Sequence, residues 1–515
     1  MAILASLQQV MPTSVGLLSL VASLTAVYFF LLSIYRLTLH PFAKYPGPFL
    51  AKISPFHAFT HAVKGDIHID MYNCHQKYGD IVRYRPNSIL VNTSEGFKDI
   101  YGHGKNIRKS DDYSAFPDNP GAYSTHSAIN KIDHGRKRRI LSQGLGDNAL
   151  AQVEPTIINL VGKFCSLLTG STEAGEWSKP VDMANIANYL TFDVMSDLVF
   201  GTSYEMLDRP DKHWITTDLE SGGQRAGIIF QFPLFAYLKL DRIIFPRMST
   251  RQTRFRRSCQ TMANDRMSNP ASASKRDVFG NVIAAVDPET GTGFPIQELW
   301  SESILLIVAG SDTSSTVLAA LSFYLAKNPA IQRRAAEEVR GKFGGAGEIR
   351  TGAALSGCVF LRACLDEAMR MSPPVGGAMW RTVQKGGARV GGEGVGEGMD
   401  VGTGTYAVMH NETYFPDPFT YNPDRWIVSE KGNPKESVER ARAVFAPFSI
   451  GPRGCVGKSL AYMTMMLAAA RMLYEYDLRF ADPKDGEKKE YELLDAFTSI
   501  KRGPMIEFCK IKRVE

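Results

Sequence analysis

Hydrophobic and polar positions divide the chain unevenly, and the longest apolar run comes first. Val15 to Tyr35 is mainly apolar over 21 residues, and no charged side chain precedes Arg36. A run of that length can cross the hydrocarbon core of a bilayer as one helix. A cleaved leader would be shorter and would open with positive charge. Arg36, Lys44 and Lys52 follow the run and predict a cytosolic location for what comes after it. Tyr45-Pro46-Gly47-Pro48 then forms a stiff segment that cannot continue a helix. The expected division is a short lumenal N-terminus over 1–14, a transmembrane helix over 15–35, a proline-rich hinge over 36–50, and a single domain over 51–515.

Within that domain the periodicity changes from strand to helix. Ile81–Arg85 and Ser88–Asn92 read as short strands, and helical patterns fill most of the middle. Asn269 to Pro295 reads as loop around a short helix. Pro295 to Lys327 predicts a long central helix, ended by Asn328-Pro329, with apolar residues on nearly every face and hence buried. Lys458 to Tyr474 predicts another helix. The glycines between Gly386 and Gly404 contain no GxGxxG match and predict hairpin turns with a floppy insertion.

Composition changes this picture little. The 515 residues are 44% hydrophobic and 22% charged, ordinary values for a globular chain able to bury a large core. A net charge of +6, spread along the sequence, gives no nucleic-acid footprint. The seven cysteines are widely spaced, odd in number and without a CxxC pair, which favours a reducing compartment.

One of them stands apart. Cys455 lies in Phe448-Ser-Ile-Gly451-Pro-Arg453-Gly-Cys455-Val-Gly457, directly before the helix predicted from Lys458. The glycines permit tight turns and close approach of a large flat ligand. The helix N-terminus and Arg453 are expected to lower the thiol pKa. Gly457-Lys458-Ser459 imitates the end of a phosphate-binding loop, but the first glycine of GxxxxGK[ST] would fall on Pro452.

This loop resembles the cysteine-ligand loop of the cytochrome P-450 family of haem-thiolate monooxygenases, and the stretch from His40 to Pro48 resembles the hinge of its fungal microsomal members. The resemblance implies a mainly α-helical fold with a small β-rich lobe, preceded by one transmembrane helix. It makes Cys455 the axial ligand of haem iron. Ala309-Gly310-Ser311-Asp312-Thr313 is similar to the family's oxygen-activation segment. There Ala309 and Gly310 would leave room for dioxygen and substrate, Thr313 would pass protons, and Asp312 would connect that relay to solvent. By the same resemblance Glu367, Arg370 and Arg425 form a buried ion network behind the cysteine loop. Arg453, Arg381 and the pair His134 and Arg138 are expected to hold the haem carboxylates, with Phe448 and Gly457 shaping the loop around the cofactor. Arg136, Lys137 and Arg139 read as a solvated basic face able to meet a reductase.

The implied function is insertion of one oxygen atom from O2 into a small apolar organic substrate, by hydroxylation or epoxidation, in fungal secondary metabolism. Electrons would come from a separate NADPH-cytochrome reductase at the endoplasmic reticulum membrane, since about sixty residues after Cys455 leave no room for a flavin domain. The other readings are a haem-thiolate isomerase or dehydratase needing no reductase, and a membrane-anchored haem sensor. Substrate contacts are expected among Phe116, Ile228, Ile229, Phe230, Phe232, Val375, Met379 and Phe497.

Overall fold

Helix α1 (Ala2–Thr38) leads away from the rest of the protein, and its apolar side chains from Leu17 to Leu31 are exposed on all sides. Its Gly16–Thr38 stretch reaches a mean hydropathy of 2.2. The foot of the helix is tied down. Arg36 donates Nη1 to the Ile53 carbonyl at 2.6 Å, and its own carbonyl accepts from Arg83 Nη1 at 2.6 Å. The computed structural model describes residues 2–116, 123–269, 277–429 and 433–512, with 2–15 as backbone.

The smaller lobe is built on helices α2 (Phe56–Lys64) and α3 (Ile67–Tyr78) and on strands from both ends of the chain. Strands β1 (Ile81–Arg85), β2 (Ser88–Val91), β3 (Ile107–Lys109), β4 (Arg381–Val383) and the later strand Asp400–Gly402 form one sheet. In it β2 pairs in parallel with Asp400–Gly402, and the other neighbours are antiparallel. Lys109 faces Arg381 directly across the β3–β4 pair. Like charges placed opposite each other destabilise a sheet, so this register calls for an anion nearby. The glycine-rich segment is a regular hairpin, Ala388–Val390 with Glu393–Val395, rather than a floppy insertion. Gly391 and Gly392 supply the two positive φ angles, +56° and +83°, of its two-residue turn.

The larger lobe is helical. Helix α4 (Lys131–Gly144) starts at Asn130, whose side chain accepts from the Ile132 and Asp133 amides. Helix α5 (Met183–Phe200) is capped by Asp182 and ends at Gly201 with φ +76°. Helix α6 (Trp214–Gln231) roofs the junction with the smaller lobe. Helix α7 (Ile296–Lys327) runs through the core beside α5, α8 (Val359–Met371) and α9 (Lys458–Glu475). Among the described residues the loop before α7 holds one short helix, Val278–Ala284; positions 270–276 of that predicted loop lie outside them. A hairpin, Leu494–Ala496 with Thr498–Ile500, closes the junction, with Phe497 at its turn in the left-handed region at φ +71°.

Candidate active site

Cys455 sits two residues before Gly457, the N-cap of α9, so the first free amides of that helix point towards the loop. The loop is held from three sides. The Cys455 amide donates to the Phe448 carbonyl at 2.8 Å, Arg138 on α4 donates Nη1 to the Gly454 carbonyl at 2.5 Å, and the Phe448 ring packs 5.0 Å from Tyr462. Gly451 has φ +70°, and a Cβ there would collide with the Tyr101 carbonyl. The thiol is accessible, yet desolvation by surrounding protein is the largest influence on it and pushes its pKa up. The Gly457 amide, Arg138 and Lys458 pull the pKa down but do not offset burial, which reverses the direction expected from the sequence. Arg453 takes no part: its guanidinium bonds the carbonyls of Ala128 at 2.5 Å and Ile129 at 3.0 Å.

Arg453 belongs instead to a group of desolvated basic side chains. Lys109 on β3, His126, His134 on α4 and Arg453 have their pKa values lowered first by burial and then by neighbouring positive charge, with Arg381 on β4 acting on all four. His134 is pushed down to about 3, Arg453 to about 10, and Lys109 and His126 well below their ordinary values. Arg381 is braced by the Tyr113 hydroxyl at 3.2 Å and the Trp380 carbonyl at 3.0 Å. Lys109 lies over the Tyr113 ring and bonds the His126 carbonyl. Among the described residues, Asp133, acting on Arg453, is the one carboxylate among the main influences on these groups. Lys109, Arg381 and Arg453, with two neutral imidazoles able to donate hydrogen bonds and so little counter-charge, form a receptor for an anionic group. Lys109 and His126 carry no local motif, and the sequence reading missed both. Arg138, expected to share a carboxylate with His134, gives Nη1 to the cysteine loop.

On α7 the exposed Ala309 and half-buried Thr313 interrupt a mostly buried helix, so this stretch lines interior space. Gly310 does not open that space: a Cβ on it would lie 2.5 Å from Met195 Sδ on α5, so it serves close helix packing. The Thr313 hydroxyl donates to the Ala309 carbonyl at 2.7 Å. Asp312 is not open to solvent. It is buried in an ion pair with Lys501, Oδ1 to Nζ 2.7 Å, which the sequence did not reveal. Further up the helix, buried Glu302 accepts from the Thr125 amide at 2.6 Å and hydroxyl at 2.9 Å, and burial raises its pKa to about 7.

Glu367, Arg370 and Arg425 come together away from solvent. Glu367 takes both Nε and Nη2 of Arg370 at 3.0 and 2.9 Å, Nε of Arg425 at 3.2 Å and Nε1 of Trp426 at 3.0 Å. Arg370 spends its remaining nitrogen on the Met409 carbonyl at 2.9 Å, so the charges are multiply bonded. The basic stretch of α4 is not a free solvated face. Lys137 is buried on Glu298 at 2.7 Å, Arg136 shares that carboxylate, and Arg139 pairs with Asp287 at 2.5 Å.

A cavity of about 20 Å³ lies at the junction of the lobes, with Phe230, Val375, Met379 and Phe497 among its walls. Phe116 stacks on Phe230 at 5.5 Å, and Phe497 meets Phe116 at 5.0 Å and His126 at 5.4 Å, so this apolar wall adjoins the cation group. Ile228 and Ile229 are buried core, and Phe232 turns outward to Phe56 and Phe59.

A family model described as Cytochrome P450 matches residues 46–508. The chain belongs to the cytochrome P450 family. Its relatives include the cytochrome P450 monooxygenases apf7 of Gibberella fujikuroi, 40% identical over 93% of this chain and 95% of that one, and poxM of Penicillium oxalicum, 40% identical over 95% and 94%. AKT7 of Alternaria alternata, also a cytochrome P450 monooxygenase, is 38% identical over 96% and 97%. The protein is therefore an oxidoreductase of the P450 monooxygenase class with haem as its cofactor, which the family binds through a cysteine thiolate. The donor set fits that cofactor. A thiol stands just before a helix N-terminus in a loop held from three sides, and a nearly acid-free basic group can receive two carboxylates.

Proposed function

We propose that Cys455 is the axial thiolate of this P450, and that Arg381, Arg453, His134, Lys109 and His126 receive the haem carboxylates. The observation that carries the reading is the desolvated basic group, nearly free of carboxylates, that adjoins the loop of Cys455 through Arg453. The haem supplies dioxygen activation once reduced. The chain's own part is to hold, orient and protonate. Phe448, Gly457 and Arg138 fix the sulfur, while Glu367, Arg370 and Arg425 hold the scaffold behind it. Thr313 would turn its hydroxyl from the Ala309 carbonyl to hold and pass a proton on the oxygen side, and Asp312, on leaving Lys501, would take up a proton from water and hand it to Thr313.

The substrate is a small apolar organic molecule seated against Phe116, Phe230, Met379 and Phe497, and the product carries one oxygen atom by hydroxylation or epoxidation. The fungal relatives support a role in fungal secondary metabolism. Electrons come from an NADPH-cytochrome reductase at the endoplasmic reticulum membrane, where α1 anchors the enzyme with its body in the cytosol.

The test is the absorption spectrum of the reduced protein under carbon monoxide, beside Cys455→Ser. A red-shifted thiolate-type Soret band, lost in the variant, is expected. A histidine-type band in folded wild-type protein would remove the assignment.

A further inference from the structure

Away from the haem site, α2 and α3 bring together two histidines and a carboxylate that the reaction does not use. His57 and His61 stand one turn apart on α2 and so share a face of the helix. Both point at Asp70 on α3: His57 Nε2 lies 2.8 Å from Oδ2 and His61 Nε2 lies 3.3 Å from Oδ1. One donor atom from each of the three residues falls within 4.8 Å of the others. A tetrahedral zinc ion with bonds of about 2.0–2.1 Å wants donors about 3.3 Å apart, so the group is within about 1.5 Å of that spacing.

The surroundings of the triad are arranged as outer-shell partners are at metal sites. His61 Nδ1 lies 2.7 Å from Asp66 Oδ1, and a carboxylate there requires the ring proton on Nδ1. A neutral His61 then aims the lone pair of Nε2 at a carboxylate oxygen, acceptor against acceptor. Only a cation between them relieves that conflict, either a proton on the ring or a metal ion. The Tyr84 hydroxyl donates to Asp70 Oδ2 at 2.6 Å and fixes the carboxylate in turn. Asp66 and Asp70 give the site two negative charges. Each ligand is slightly exposed, at 15–18% of its side chain, which leaves an entry path and open coordination positions. Cys74, also near Asp70, stays a thiol because burial and that carboxylate push its pKa up to about 12.

We propose that His57, His61 and Asp70 form a binding site for a borderline divalent transition cation, Zn2+ being the fitting example, oriented by Asp66 and Tyr84. Two imidazoles and one carboxylate select such an ion over Mg2+ or Ca2+, which prefer all-oxygen shells. Binding clips α2 to α3. Ala62 on α2 and Ile67 on α3 wall the same cavity as Phe230, Met379 and Phe497, so the clip stiffens one side of that cavity.

The experiment is equilibrium dialysis of the full-length, haem-loaded protein against Zn2+ at pH 7.5, with Mg2+ in a parallel dialysis. Metal is counted per haem, and zinc-edge X-ray absorption is recorded on the loaded protein. One Zn2+ per chain is expected, with two imidazoles and oxygen at about 2.0–2.1 Å. His61→Ala should weaken binding by at least about 100-fold, and Asp66→Asn by about 10–100-fold. No zinc retained by the wild type, or equal retention by His57→Ala and His61→Ala, overturns the proposal. Should those variants fail to fold, a zinc spectrum without two imidazoles overturns it alone.

Discussion

Glu302 is a carboxyl group that the protein buries beside its central helix without a full set of partners. Oε1 accepts twice from Thr125, while Oε2 is buried with none. The charged groups facing it are Lys137 from α4, which eases the charged form, and Glu298 one turn away on α7, which opposes it. Burial dominates and holds its pKa at about 7, against about 4.3 for a free glutamate. The folded chain therefore keeps a proton that the unfolded chain releases. That contribution to stability is present in full below about pH 4.3 and is lost as pH rises through about 7, by about 1.4 kcal/mol per pH unit between. Glu302→Gln keeps the shape and removes the titration. Denaturation at pH 5, 6, 7 and 8 should show the wild type losing ground to the variant as pH rises to 7.5. Parallel curves would mean that Glu302 is charged throughout. Neither Glu302 nor the Lys501 partner of Asp312 was legible in the sequence. A glutamate near a helix start looks like a solvated residue, and Lys501 lies 189 residues from the aspartate it neutralises.

Helices α5 and α7 pack closely because Gly310 admits Met195. Helical propensity favours alanine over glycine by about 1 kcal/mol, so Gly310→Ala alone mixes a gain with the cost of pushing Met195 aside. A double-mutant cycle separates them. Gly310→Ala with Met195→Ala should be more stable than the sum of the single changes predicts, with a coupling of about 0.5–3 kcal/mol in chemical denaturation. Strict additivity would return Gly310 to the role read from the sequence, room on the interior face. That reading erred because apolar residues surround α7, and such a helix does not disclose which side a glycine serves. Its extent was plain, since Pro295 and Asn328-Pro329 bracket it, and so was the helix after Cys455. The strands Ile81–Arg85 and Ser88–Val91 followed from local pattern as well. The cation group was half legible. His134, Arg381 and Arg453 sit in recognisable motifs, whereas Lys109 and His126 join only when β3 and its following loop fold beside β4.

Among the described residues the molecule carries two extended apolar surfaces that water does not favour. One is α1. The other is formed by Leu234, Tyr237, Leu238, Ile243 and Ile244, exposed between α6 and the helix from Pro246, and it reaches α2 through the Phe232–Phe56 ring contact at 5.5 Å. Exposed Phe56 extends this surface, and Phe49 and Leu50 lie in the short helix Phe49–Ile53 that Arg36 ties to the foot of α1. Burying each large side chain is worth about 1.5–3 kcal/mol, so the second surface can hold the body against a bilayer without the anchor. A chain lacking residues 2–33 keeps Arg36, whose carbonyl receives buried Arg83, and should still fold and bind haem. It should remain partly with membranes in high salt, where electrostatic attachment is screened. Adding Leu238→Glu and Ile243→Glu should release it to the soluble fraction while the haem spectrum stays unchanged. If the truncated chain is already soluble and the glutamates alter nothing, α1 is the sole attachment, and the surface over residues 234–244 faces water or another protein.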